Sequence, residues 1–230
     1  MDPLQRPATL NSVVVNHIAE AIIRGDLAAG SQLTELSLAK QLRTSRGTVR
    51  EALRELERMG FVDISPHRGA FVCELSVHRA EEIFSLRAVL EAMAGKLVLE
   101  RNEPDAAMLE DMESAIEALR DAVRDGDQIA WVESDMEFHR RLAAYSRHEM
   151  LLAQLSGIQN QTCRFLVSVR QYQAELAALA DSHTPIMDAL RTGDPKQLET
   201  ACYEHVMKSG ERLLVRMREE ADRAGRAIEA

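Results

Sequence analysis

The sequence predicts a mainly α protein: a small N-terminal domain of three helices and a β-hairpin, followed by an all-α antiparallel helical bundle. Three observations predict it. Aromatic residues make up only 4% of the 230 residues, while Ala, Leu, Glu and Arg abound, a mix that favours helices packed with aliphatic side chains. The β-type runs, Phe61-Val62-Asp63-Ile64 and Ala70-Phe71-Val72, lie close together before residue 75. Beyond Ser76 almost every stretch has helical periodicity, punctuated by Asn102-Glu103-Pro104, Asp125-Gly126-Asp127 and Gly193-Asp194-Pro195. The expected domains are therefore 1–75 and 76–230.

The first helix runs from Leu10 to Arg24, with Val14, Ile18, Ala21 and Ile22 at helical spacing and Gly25 closing it. Ala28-Ala29-Gly30 reads as a connector. Thr34 starts a short second helix carrying Leu36, Leu38, Ala39 and Leu42. Ser45 is a good N-cap for a third helix from Arg46 to Met59, and Gly60 stands where a C′ glycine belongs. Ser65-Pro66-His67-Arg68-Gly69 is turn chemistry between the two β-type runs. Three helices and a hairpin in about 65 residues describe a winged helix-turn-helix, with the Ser45 helix as its recognition helix.

In the second domain six helices are expected, at about 78–101, 105–124, 127–145, 148–171, 173–192 and 195–221. Their short connections imply mostly antiparallel neighbours.

Net charge is −9, unevenly placed. Residues 1–74 hold nine basic and nine acidic side chains, so the remainder carries the whole excess. From Lys40 to Arg68 there are seven basic against four acidic residues. That balance does not suit a general nucleic-acid coat, but it suits a specific DNA reader with one basic face. Cys73, Cys163 and Cys202 are odd in number and widely spaced, which fits neither a disulfide framework nor a CxxC metal site and points to a reducing, cytoplasmic setting. Met1 to Pro7 has no apolar run of signal-peptide type, and no apolar stretch is long enough to span a membrane.

Arg46, Arg50, Arg54 and Arg58 fall at successive i, i+4 positions and form one stripe, with Ala52, Leu53 and Leu56 off it. Arginine suits bidentate contact with guanine edges and phosphate. Gly47 and Thr48 let backbone approach DNA at the helix start, where the dipole favours a phosphate. The plainer reading is a solvated face paired with Glu51, Glu55 and Glu57. His67-Arg68-Gly69 at the hairpin tip favours DNA, because a basic wing beside a basic helix suits minor-groove or backbone contact.

Among the seven histidines, His139 follows Asp135 by four, so both can point at one atom. His183 falls midway along the helix expected at 173–192, and His205 on the last helix. Three antiparallel helices can bring these four together, a set that suits Zn²⁺, Ni²⁺ or a similar ion. Spacing alone is a weak signal, since a single histidine on an amphipathic helix is usually a packed or surface residue.

Thr44-Ser45-Arg46-Gly47-Thr48-Val49-Arg50-Glu51-Ala52-Leu53-Arg54-Glu55-Leu56, Gly60-Phe61-Val62 and Arg68-Gly69-Ala70-Phe71-Val72, in this order, resemble the N-terminal domain of GntR-family transcriptional regulators. The resemblance implies that Arg46 and Arg50 touch double-stranded operator DNA, with Ser45, Gly47 and Thr48 at the helix start and His67 and Gly69 at the wing. Arg43-Thr44 departs from the usual Gly-Val and offers a further phosphate contact through Arg43. Arg87-Ala88-Val89-Leu90-Glu91, Asp135 to Leu142, His183 to Leu190, Gly193-Asp194 and His205 are similar to the FadR-type (FCD) effector domain, and six helices resemble its VanR-type branch. The resemblance implies that Asp135, His139, His183 and His205 bind a divalent metal, and that Arg87 faces a small carboxylate effector; the alternative for Arg87 is an ion pair with Glu91.

The implied function is a ligand-responsive regulator, a repressor, acting as a homodimer on a pseudo-palindromic operator. Two readings compete. One is a metal-dependent bundle enzyme fused to a DNA-binding module. The Glu-x-x-His pattern of di-metal bundles is absent, since Met136, Ala180 and Cys202 stand three before the histidines, and there is no HExxH, GxSxG or P-loop. The other is a helical interaction module whose histidines are incidental.

Overall fold

The structure, a computed structural model, describes residues 10–66, 68–74, 76–168 and 176–228. The chain divides into two compact units, Met1–Leu75 and Ser76–Ala230.

In the first unit α1 (Leu10–Ile23) buries Val14, Val15, Ile18, Ala19 and Ile22 along one stripe. α2 (Glu35–Gln41) starts at Thr34, whose hydroxyl accepts the Ser37 N–H at 3.3 Å. α3 (Arg46–Arg58) starts at Ser45, whose hydroxyl accepts the Thr48 N–H at 3.1 Å. These caps satisfy amide groups that no helical carbonyl reaches. Val49, Ala52, Leu53 and Leu56 are buried from α3 against α1 and the sheet. After α3, Gly60 takes a φ of 75°, a left-handed turn that costs glycine little.

β2 (Val62–Ser65) and β3 (Gly69–Val72) pair antiparallel, Val62 opposite Val72 and Ser65 opposite Gly69. A third strand, β1 (Gln32–Leu33), pairs with the other edge of β3 and gives the order β1-β3-β2. The sequence reading did not anticipate it. Two residues are too short to show alternation, and β1 is held from a distance: Gly30 donates to the Val72 carbonyl and Val72 to the Ser31 carbonyl, both at 2.9 Å.

The second unit is all helix. α4 (Val77–Arg101), α5 (Ala106–Asp125) and α6 (Gln128–Ala144) start at Ser76, Asp105 and Asp127, each accepting an amide of the first turn. α7 spans Glu149–Ser168, and the break expected near residue 172 lies outside the described residues. The helix expected at 173–192 is two helices, α8 (Leu176–Asp181) and α9 (Thr184–Thr192). Pro185 stands in the first turn of α9, where its missing N–H costs nothing; inside a continuous helix it would leave the carbonyl of Asp181 without a donor. The second unit therefore has seven helices among the described residues rather than six. α10 (Pro195–Ile228) runs past the expected end at 221.

α4 and α10 are antiparallel and close. A Cβ on Gly95 would meet Cys202 Sγ at 2.9 Å, and one on Gly210 would meet the Phe84 ring at 2.8 Å. No described helix is long and apolar enough to cross a membrane.

Candidate metal centre and nucleic-acid interface

Four elements of the second unit turn polar side chains to one point. α4 contributes Arg87 and Glu91, one turn apart and buried. α6 contributes Asp135 and His139, also one turn apart and buried. α10 contributes His205. His183 is not midway along a helix, as the sequence reading had it: it is the residue before α9, in the turn after α8, because the chain re-starts a helix at Pro185. There its carbonyl accepts the amides of Ile186 and Met187 at 3.0 and 3.2 Å.

One ligand atom from each of Asp135, His139, His183 and His205 lies within 4.8 Å of the others. The ring nitrogens facing outward are each tied to an acceptor. His139 Nδ1 is 2.6 Å from Glu91 Oε2, His183 Nδ1 is 3.2 Å from the Ala180 carbonyl, and His205 Nδ1 is 3.1 Å from the Ser182 carbonyl. A carbonyl oxygen only accepts, so Nδ1 of His183 and of His205 is the donor, and Nε2 of each ring faces the cluster. This outer shell is the kind that fixes ring orientation and tautomer at a metal site.

The inner atoms suit a cation. His139 Nε2 and His183 Nε2 are buried with no hydrogen-bond partner among the described residues. His183 Nε2 lies 3.1 Å from Asp135 Oδ1 without hydrogen-bond alignment, and His139 Nε2 lies 4.0 Å from Asp135 Oδ2. Lone pairs converging on a buried carboxylate are costly unless something positive sits among them. Protonation agrees. Burial opposes ionisation of Asp135, but His183, His139 and Arg87 outweigh it and hold the carboxyl well below its usual range. Burial, with help from the neighbouring histidines, pushes His205 well below the ordinary imidazole range, and burial lowers His139 against the pull of Glu91. An ionised Asp135 beside His139 and His205 held neutral is the form that ligates a divalent ion, so these residues fit one.

Arg87 is 1% exposed. Its Nε donates to Glu91 Oε1 at 2.5 Å, so the ion pair weighed in the sequence reading is present. Its Nη2, 4.0 Å from Asp135 Oδ2, has no hydrogen-bond partner among the described residues. The guanidinium is thus bonded to Glu91 through Nε, with Nη2 unpaired beside the candidate metal cluster. Glu91 as partner of His139 was missed by sequence reasoning; its spacing of four from Arg87 was visible, but the contact to α6 is tertiary. Cys163 stands near Arg87 and Asp135, and burial pushes its thiol up to about 12.

In the first unit, Arg46, Arg50 and Arg54 project from the face of α3 opposite its buried residues. With Ile64 and Gly69 of the hairpin they line one groove. Of the α3 acids named in the plainer reading, only Glu55 takes up an arginine of this stripe, Arg58. Glu35 of α2 takes up Arg50 and Arg46: Arg50 forks onto it at 2.6 and 2.7 Å, with Arg46 3.7 Å away, and the Arg50 hydrogen bonds hold the Glu35 carboxyl below its usual range. Arg54 has no ion-pair partner among the described residues, while Arg58 pairs with Glu55. Ser45, the N-cap, and Gly47 are exposed and Thr48 is half-buried, with the Ser45 and Thr48 hydroxyls 2.9 Å apart. Arg43, in the turn before it, is left-handed at φ 50°. In the wing the Arg68 amide donates to Ser65, its carbonyl accepts from Gln32, and its guanidinium lies 5.5 Å from the Phe71 ring. Gly69 takes a φ of 97°; His67 lies outside the described residues.

Comparison with known proteins matches residues 10–72 to the gntR family of bacterial regulatory proteins and residues 82–208 to the FCD domain. The chain is 32% identical, over 86% of each chain, to a probable D-xylose utilization operon transcriptional repressor of Paenarthrobacter nicotinovorans. It is 30% identical to the Nta operon transcriptional regulator of Aminobacter aminovorans, covering 80% of this chain and 85% of that one. McbR/YncC of E. coli shares its fold, with a TM-score of 0.76 at 23% identity over 90% of this chain and 98% of the other.

Proposed function

Because the chain belongs to the GntR family of bacterial regulatory proteins and carries an FCD domain, we propose that it is a repressor whose helical unit binds a divalent metal and a small organic acid that modulates operator binding. It is a transcriptional regulator, with a DNA-binding winged helix-turn-helix and an effector-binding domain. The repressor reading is favoured by the P. nicotinovorans relative, named as one. We read the protein as a cytoplasmic homodimer that sets two α3 helices on a pseudo-palindromic site. Arg46 and Arg50 read bases there, while Arg43, Ser45, Gly47, Thr48, Arg54, His67, Arg68 and Gly69 bind backbone at the helix start and the wing.

The observation that carries the effector reading is Arg87, a buried guanidinium whose Nη2 has no hydrogen-bond partner among the described residues and lies 4.0 Å from Asp135 Oδ2. A buried donor without a partner is expensive, and a carboxylate would satisfy it by charge-assisted hydrogen bonds. Asp135, His139, His183 and His205 would hold the metal, Zn²⁺ or Ni²⁺ by ligand type. A bound divalent ion would attract the same acid as a Lewis acid. Glu91 would orient His139 and Arg87. A ligand that binds the DNA-competent and DNA-incompetent arrangements unequally shifts the balance between them.

The test is thermal unfolding of metal-loaded protein with a panel of small organic acids, beside Asp135→Ala, followed by operator titration with the best acid. An acid at about 100 times its dissociation constant adds about 2.7 kcal/mol. The reading expects a stabilising acid that loses its effect in Asp135→Ala and alters operator affinity. Unchanged operator affinity at saturating acid would overturn it.

A further inference from the structure

α4 turns Arg87 and Glu91 inward and leaves Leu86, Val89 and Met93 outward, 52%, 57% and 44% exposed. Steps of three and four put these three on one stripe. Single exposed apolar side chains are ordinary, but three on successive turns make a patch that water disfavours.

Charges close both ends of the stripe: Arg79 and Glu82 before it, Lys96 and Glu100 after it. Within one chain they meet only weakly. Arg79 is 3.2 Å from Glu82 and 2.9 Å from the Gln161 amide oxygen, and Lys96 is 3.8 Å from Glu100, all at exposed positions where such pairs contribute little. The pattern is complementary to itself. If two copies of α4 lie antiparallel about an axis between Val89 and Leu90, Leu86 meets the second copy's Met93. Glu82 then falls beside Lys96, and Arg79 beside Glu100, each pair occurring twice by symmetry. A parallel pairing in register would set Glu82 against Glu82 and Lys96 against Lys96.

We propose that this face of α4 is where two copies of the chain associate, antiparallel, in the homodimer. The proposal rests on the homodimer reading above and adds its surface and its direction. It also gives α4 two jobs on opposite faces: Arg87 and Glu91 toward the ligand site, and Leu86, Val89 and Met93 toward the partner.

Sedimentation equilibrium of the full chain across a concentration range tests it, with far-UV circular dichroism as the folding control. Val89→Asp sets two like charges together at the axis on an exposed position, so the fold should stand and the dimer dissociation constant should rise about a hundredfold. Glu82→Lys alone should weaken the dimer by about tenfold, and Glu82→Lys with Lys96→Glu should restore it. A wild-type dimer indifferent to Val89→Asp and to Glu82→Lys would overturn this face while leaving the homodimer reading intact. A wild type that stays monomeric throughout would overturn both.

Discussion

Glu91 takes the Nδ1 side of His139 at 2.6 Å on one oxygen and Arg87 Nε at 2.5 Å on the other. One carboxylate on α4 therefore stands behind both an imidazole of the candidate metal cluster and the guanidinium beside it. Glu91→Gln keeps an acceptor and loses the charge, and it should weaken divalent-metal affinity by about ten- to a hundredfold. Glu91→Ala should also cost about 3–5 kcal/mol of stability, because Arg87 then keeps a buried charge without its closest counter-ion. Competition with a chromogenic chelator measures the affinity. Wild-type affinity in Glu91→Gln would reduce Glu91 to a counter-ion for Arg87.

The cluster ties α6, the α8–α9 turn and α10 together, so a metal bound there is linked to folding. Stripping the wild type with a chelator should lower its unfolding midpoint by about 5–10 °C, if the site is filled to about 100 times its dissociation constant. Asp135→Ala should start lower and not respond. Equal chelator shifts in the two proteins would locate the metal elsewhere.

On α3, Arg50 is oriented by Glu35 before DNA arrives, whereas Arg54 has no ion-pair partner among the described residues. The two variants should therefore fail differently. Arg50→Ala should cost about 1–3 kcal/mol on the operator and relax sequence preference at one position. Arg54→Ala should weaken all duplexes alike and make the salt dependence shallower by about one phosphate. Fluorescence anisotropy on operator and scrambled duplexes at several salt concentrations separates them; identical profiles would refute this division of labour.

Much of this was legible because the signals are local. Thr34 and Ser45 cap the helices they were expected to start, and Asp135 with His139 shares a helix face by spacing alone. What was not legible depends on distant chain. β1 exists because Val72 reaches Ser31 and Gly30, and Glu91 meets His139 because α4 packs on α6. His183 is different: Pro185 was in plain view two residues on, and a helix carried through a proline was the weaker inference.

At Arg43 the fold and DNA binding should pull in opposite directions. A left-handed non-glycine residue costs about 1–2 kcal/mol, and Arg43 holds φ 50° in the turn between α2 and α3. Glycine would remove that strain but give back about 0.5–1 kcal/mol through the freer unfolded chain. Arg43→Gly should thus stabilise the protein by about 0.5–1 kcal/mol, read as a small rise in midpoint. If the side chain meets a phosphate, the same variant should bind operator more weakly, with a salt slope shallower by about 0.9. Opposite signs in the two measurements would mean that the arginine is kept at this turn for DNA, at a cost to the fold. A stabilised variant with unchanged affinity and slope would remove Arg43 from the interface.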